Sequence, residues 1–256
     1  MHRRLALVRR PVPRLAEGLL THLERQPVDV ALAERQWTSY VEALRAAGWE
    51  IVEAPAAPDC PDSVFVEDTV VVYGNLAVIT RPGAPERRPE PQAVEPILRE
   101  LGYRVARIEA PGTLDGGDVL KHDGTVWVGL GGRTDRTGFE QLAEHLRGIA
   151  ERAVAVPVSK VLHLKSAVTA LPDGTVVGLP DLVDDPGVWP SFLPVPEEHG
   201  GHVVLLGGKR VLMSTSAPET ADLYRGMGLD VVTVDIGEFE KLEGCVTCLS
   251  VRLRGV

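Results

Sequence analysis

One pattern recurs four times along this chain and limits what it can become. An apolar run, a glycine-bearing turn and a second apolar run follow one another in VVVYGNLAVIT (70–80), DVLKHDGTVWVG (118–129), SAVTALPDGTVVGL (166–179) and HVVLLGGKRVLMS (202–214). The turns are Gly74-Asn75, Asp123-Gly124, Asp173-Gly174 and Gly207-Gly208. Such pairs tolerate the positive φ of a tight connection, so each segment predicts a β-hairpin. Helical spacing follows over 91–101, 134–150 and 217–227, and each of these leads into a strand: YRVARIEA, AVAVPVS and LDVVTVDI. Thr134 is expected to open the second helix, and Pro218 to sit in the first turn of the third. The third unit is proline-rich (PDLVDDPGVWPSFLPVPEE), which predicts a reduced helix.

The repeating unit is therefore β-β-α-β. The N-terminal third adds a helix over about 30–47 and a strand at WEIVEA. Two strands remain without a hairpin mate, RLALVRR at the start and TCLSVRLRG at the end. Pairing them supplies a fifth hairpin and closes a ring, which removes open sheet edges. The expectation is one α/β domain over 1–256, a closed ring of five ββαβ units. The alternative is an open mixed α/β sheet.

A chain of 256 residues can bury a full core, and 44% hydrophobic with 25% charged residues is ordinary for a globular protein. A net charge of −9 argues against a nucleic-acid or anionic-membrane surface. No apolar run approaches the ~20 residues of a transmembrane helix. The basic start MHRRLALVRRPVPRL lacks an apolar signal core, so a cytoplasmic protein is expected. Three cysteines are an odd count, which does not suit a disulfide framework.

Polar residues cluster where the ring should have its axis, at the start of each unit's first strand. PDSVFVEDTV brings Asp62, Glu67 and Asp68, TLDGGDV brings Asp115 and Asp118, and VLHLKSAV brings His163 and Lys165. The terminal unit brings CVTCLS. Taken singly each has a plain reading: a structural histidine, a turn at Pro61-Asp62, a loop at Asp115–Asp118, a solvated Arg87-Arg88. Matching register in radial units would bring acids, a histidine and a cysteine into one pocket, the makings of a Cys-His-acid site.

Cys245 and Cys248 raise a choice. A redox C-x-x-C opens a helix, but this one runs into a strand. A zinc clip needs further ligands, and Cys60, His199 and His202 lack ligand-like spacing. A single reactive thiol fits best. Cys248, at the strand start, would face the axis, with Cys245 a bystander.

PDSVFVED, ITRPG with the following Arg87-Arg88, APGTLDGGD, GGRT, VLHLKS and EFEKLEGCVTC together resemble the dimethylarginine dimethylaminohydrolases, of the guanidino-group-modifying (pentein) superfamily. The resemblance implies a five-bladed α/β propeller. It implies Cys248 as nucleophile, His163 as general acid/base and Asp115 as the acid that orients it; some relatives carry Glu at that place. Glu67 and Asp68 would meet the guanidinium and its pocket. Arg87 and Arg133 would hold the α-carboxylate and Asp62 the α-amino group. Leu19, in a flap, and Leu242 would contribute backbone carbonyls, with Lys165 structural. The implied reaction turns Nω-methylated arginines into citrulline and an amine through a thiouronium on Cys248. It implies no metal or organic cofactor, a small-molecule substrate, and a monomer or homodimer. The alternatives are an arginine deiminase or amidinotransferase of the same fold, and a non-catalytic binding module.

Overall fold

All four side chains of the first strand, β1 (Leu5–Val8), are buried. Leu5 and Leu7 pack into one apolar cluster, and Ala6 and Val8 into another. A strand alternates its side chains, so one buried on both faces must be sandwiched between two neighbours. That is the position of a middle strand in a propeller blade. The computed structural model describes residues 3–253.

The chain continues through α1 (Val30–Ala46), whose N-cap Asp29 accepts from the Leu32 amide, to β2 (Glu50–Glu53). The next blade is β3 (Val70–Tyr73), β4 (Leu76–Ile79), α2 (Val94–Glu100) and β5 (Arg104–Arg107). Then come β6 (Val119–His122), β7 (Thr125–Leu130), α3 (Arg136–His145) and β8 (Arg152–Pro157). The single turn α4 (Leu164–Ala167) leads into β9 (Val168–Ala170), β10 (Val176–Gly178) and β11 (Phe192–Pro194). Here two helical turns, Pro180–Leu182 and Pro186–Val188, replace the outer helix, as the prolines predict. The last full unit is β12 (Val204–Gly207), β13 (Arg210–Ser214), α5 (Pro218–Gly226) and β14 (Asp230–Val234). The short α6 (Gly237–Glu240) precedes the closing strand β15 (Val251–Leu253).

Among the described residues these strands form five three-stranded sheets. In each, an antiparallel hairpin is joined by a parallel outer strand. The fifth uses both ends of the chain: β1 pairs antiparallel with β15, in register Leu5↔Leu253 and Leu7↔Val251, and parallel with β2. Apolar clusters join neighbouring blades. Val71 and Val78 meet Val119 and Val128; Trp127 meets Val168; Val177 meets Val211; Leu212 meets Ala6; and Leu5 meets Val70. The last joint returns to the first blade, so the sheets form a closed five-bladed α/β propeller.

Two expectations change. Asp135, not Thr134, caps α3, its carboxylate accepting the Gly138 amide at 2.7 Å. The closing strand begins at Val251 rather than Thr247, because 245–248 form a turn in which the Cys248 amide donates to the Cys245 carbonyl at 3.1 Å. The tail of that expected strand, Arg254 and Gly255, lies outside the described residues. No helix among the described residues is long and apolar enough to cross a membrane.

Candidate active site

Six of the expected site residues lie in short turns that lead into the innermost strand of a blade. Asp62 sits in the helical turn Pro61–Val64, and Glu67 and Asp68 in Val66–Thr69, ahead of β3. Asp115 precedes the turn Gly116–Asp118 ahead of β6, His163 caps α4 ahead of β9, and Cys248 ends the turn ahead of β15. One pocket is lined by Asp62, Asp68, Arg87, His163 and Cys248, with Leu19, Arg133 and Leu242 at its rim.

His163 lies between carboxylates. Its Nε2 is 3.0 Å from Asp115 Oδ2, and its Nδ1 is 3.9 Å from Asp68 Oδ1. Asp115 is fully buried, and its other oxygen accepts the Gly83 amide at 2.9 Å. A second layer fixes the first. The Asp115 amide donates to Thr134 Oγ1 at 3.1 Å, and that hydroxyl donates to Asp118 Oδ2 at 2.6 Å. Asp118 Oδ1 accepts the Leu164 amide at 2.9 Å, which anchors α4. Thr134 is therefore part of the site's scaffold rather than a helix cap.

Burial disfavours a charged imidazole, but the carboxylates of Asp68, Asp118 and Asp115 outweigh it and raise His163 to about 9. Burial also pushes Asp118 up, to about 6. It works the same way on Asp68, where His163 and Arg87 win and hold the carboxyl at about 2. The glycines of LDGGD follow from this crowding. A Cβ on Gly117 would lie 2.7 Å from both Asp68 Oδ1 and His163 Nδ1, and one on Gly116 would lie 2.0 Å from the Glu67 carbonyl oxygen.

Arg87 is 3% exposed, which corrects the solvated-loop reading. Its guanidinium donates to Asp68 Oδ2 at 2.7 Å and to both oxygens of Glu90 at 2.9 and 2.8 Å. It also reaches the carbonyls of Asp62 and Phe65. A buried cation between two buried acids satisfies all three. Glu90, three residues on, was not singled out from the sequence. Arg133 is different: its Nη2 donates to Thr21 Oγ1 at 3.4 Å, while its buried Nη1 has no hydrogen-bond partner. Asp62 accepts the Leu19 amide on both oxygens, at 3.2 and 3.1 Å. Arg133 Nη1 also lies 4.0 Å from Asp115 Oδ2, so a cation held only by a long ion pair stands beside the acid Asp62 in the pocket lining. Glu67 points elsewhere. Its carboxylate pairs with Lys165 at 2.6 Å and lines a separate cavity of about 280 Å³ among the inner strands. Only its backbone belongs to the site, through an amide that donates to the Cys248 carbonyl at 3.2 Å.

Glu243 was missed by the sequence reading. Its Oε1 accepts the backbone amides of Thr21 at 2.9 Å and Leu23 at 2.8 Å, and that of His22 between them. It pins the segment LAEGLLTH over the pocket. Beside it, Cys245 Sγ lies 3.3 Å from Cys248 Sγ, and the Cys245 amide donates to Cys248 Sγ at 3.4 Å. The shared hydrogen bond and burial push the Cys248 thiol well up, while the same bond draws Cys245 well down. As for a metal, Asp68, Asp115 and His163 hold ligand-type atoms within 4.8 Å of one another. Those carboxylates are already committed, Asp68 to Arg87 and the Gly117 amide and Asp115 to His163 and the Gly83 amide.

A thiol, an imidazole-carboxylate pair, a charged acid and a rim for a zwitterion suit attack on the guanidinium of an amino acid. Comparison with known proteins agrees. The arginine deiminase family model matches residues 53–204. The chain is 64% identical to the N(G),N(G)-dimethylarginine dimethylaminohydrolase of Streptomyces coelicolor, over 97% of this chain and 96% of that one. The chain belongs to the dimethylarginine dimethylaminohydrolase family. The Pseudomonas aeruginosa member is 32% identical over 96% of this chain and 98% of its own. A solved structure of a Pseudomonas aeruginosa family mutant complexed with citrulline superposes with a TM-score of 0.91, at 31% identity, covering 99% of this chain and all of that one. The N-terminal domain of ArgZ, a cyanobacterial arginine dihydrolase, shares the fold at a TM-score of 0.86 and 18% identity, over 98% of this chain and 97% of that one.

Proposed function

We propose that this protein hydrolyses Nω-methylated arginines, asymmetric dimethylarginine above all, to citrulline and an amine, with Cys248 as nucleophile. The observation that carries the reading is His163, held between Asp115 and Asp68 in the pocket that Cys248 lines. Similarity to named family members supports the substrate class.

A guanidinium carbon is a poor electrophile because its charge is spread over three nitrogens, and a thiolate is the side chain best suited to attack it. The resting Cys248 thiol is held protonated by its surroundings. A cation bound against Asp68 favours the thiolate, so substrate helps to form its own attacker. Asp62 receives the α-ammonium and Arg133 Nη1 the α-carboxylate. Arg87 acts by holding Asp68 charged and in place. Cys248 Sγ bonds to the guanidinium carbon, protonated His163 gives its proton to the departing dimethylamine, and a thiouronium remains on Cys248. Neutral His163 then takes a proton from water as the hydroxide adds to that carbon. The C–S bond breaks as the proton of the added hydroxyl passes to sulfur, citrulline leaves, and the thiol and protonated imidazole are restored.

The test is citrulline release from asymmetric dimethylarginine and from arginine in parallel, with the amine identified. We expect citrulline with dimethylamine, and a loss of about a thousandfold or more in Cys248→Ser. Ammonia and citrulline from arginine alone would replace this reading with a deiminase.

A further inference from the structure

Cys245 takes no part in that chemistry, yet it is the closest sulfur to the nucleophile. The turn 245–248 is closed by the Cys248 amide on the Cys245 carbonyl at 3.1 Å, which holds the two α-carbons within a single turn. The sulfurs are 3.3 Å apart, so closing to a disulfide at ~2.05 Å requires an approach of only about 1.2 Å. Thr247 Oγ1, 3.3 Å from Cys245 Sγ, keeps that sulfur turned inward toward its partner. Cys248 lines the pocket, which gives a small oxidant its route. Cys60, the third cysteine, lies apart with its thiol against the Glu86 carbonyl.

We propose that Cys245 and Cys248 form a reversible disulfide when a hydroperoxide enters the pocket, so that the C-V-T-C turn is an oxidation site that switches the nucleophile off. The thiolate of the pair attacks one peroxide oxygen; the O–O bond breaks, and a sulfenic acid forms with release of hydroxide. The other thiol then attacks that sulfur; the S–S bond forms as the S–O bond breaks, and the second oxygen leaves as water. The two thiols lose two electrons and two protons, and hydrogen peroxide becomes two waters. A dithiol reverses the reaction by exchange. Whichever sulfur is oxidised first, its neighbour resolves it, and the disulfide shields Cys248 from the irreversible sulfinic and sulfonic states.

Formation of the bond rests on geometry alone; the loss of activity also rests on Cys248 being the nucleophile. The full-length protein is treated with hydrogen peroxide, denatured, and read by thiol titration, intact mass and peptide mapping, with and without dithiothreitol. We expect free thiols to fall from three to one. The mass should fall by about 2 Da, with one Cys245–Cys248 peptide link. Activity should drop by about tenfold or more and return with dithiothreitol. Cys245→Ser, compared with its own untreated rate, should lose activity without recovery and gain oxygen at Cys248. Three titratable thiols after treatment, or a gain of oxygen at Cys248 in the native protein with no link, would overturn the proposal. If Cys245→Ser does not fold, peptide mapping of the native protein still decides. A mapped link with activity intact would leave the disulfide standing and instead remove Cys248 from the proposed reaction.

Discussion

His163 is buried to 2% and still held at about 9, above the ordinary value near 6.5. Burial alone would drive it the other way, so the charge on the ring is the work of three carboxylates. Its contribution to stability has a definite sign. A histidine raised in the folded state stabilises fully below about 6.5, and that contribution is lost as pH rises through about 9. The charge of Asp68 raises His163 more than that of Asp118 does. We therefore expect Asp68→Asn to lower the ring's titration midpoint more than Asp118→Asn does, read by NMR of the imidazole nitrogens across pH 5–10. An unmoved midpoint in Asp68→Asn would contradict this electrostatic account. The pH dependence of kcat/KM should follow, with activity falling above about pH 9 as the general acid loses its proton. That acids, a histidine and a cysteine gather in one pocket was readable because they stand at matching places in otherwise apolar units; Asp115 as the acid beside His163 came only from the family resemblance. Glu90 was not, because an acid three residues from an arginine in a proline-rich stretch looks the same whether solvated or buried. Glu67 was half readable: its backbone belongs to the site and its side chain to the far cavity, a split that residue type does not record.

At the scale of elements, the hairpins were legible because their turn chemistry is local. Asp123 and Gly124 take φ of +45° and +73°, the left-handed pair that the Asp-Gly sequence favours. Of the turns that carry the site, those at Pro61-Asp62 and Asp115–Asp118 were legible only as the plain reading, and those at Glu67-Asp68 and Cys248 not at all. Segments of three or four residues have no periodicity to read, so they merge with the strands that follow them. The flap was legible only as a loop. What fixes it is Glu243, more than two hundred residues away in sequence, with one oxygen serving three backbone amides. Glu243→Gln keeps the shape and removes the charge that makes these bonds strong. We expect KM to rise by about tenfold, in line with the loss of roughly 1.5 kcal/mol of charge-assisted bonding, with kcat changed much less. Faster proteolysis within 16–25 should accompany it. Unchanged KM and cleavage would show that the flap is held by its own contacts instead.

For the whole molecule, the closing joint is where stability and site meet. β15 follows Cys248 by only three residues, and it is paired through β1 to the other end of the chain. Leu5, Leu7, Val251 and Leu253 pack there against Val70 and Val72 of β3, the strand that follows Asp68. No blade can open at this joint without moving the turn that carries the thiol, since the Glu67 amide ties the two blades together at the Cys248 carbonyl. The ring should therefore fail as one unit. Leu7 is fully buried, and Leu7→Ala leaves a cavity in the joint at a cost of about 2–5 kcal/mol. The urea midpoint should fall accordingly, while activity without denaturant stays near that of the parent protein. The decisive comparison is between probes. In both proteins, loss of activity and loss of far-UV circular dichroism should overlay along the urea axis, as a cooperative transition requires. If activity in Leu7→Ala disappears at clearly lower urea than the dichroism, the paired termini would be a seam that opens by itself, and the site would depend on local closure rather than on the ring as a whole.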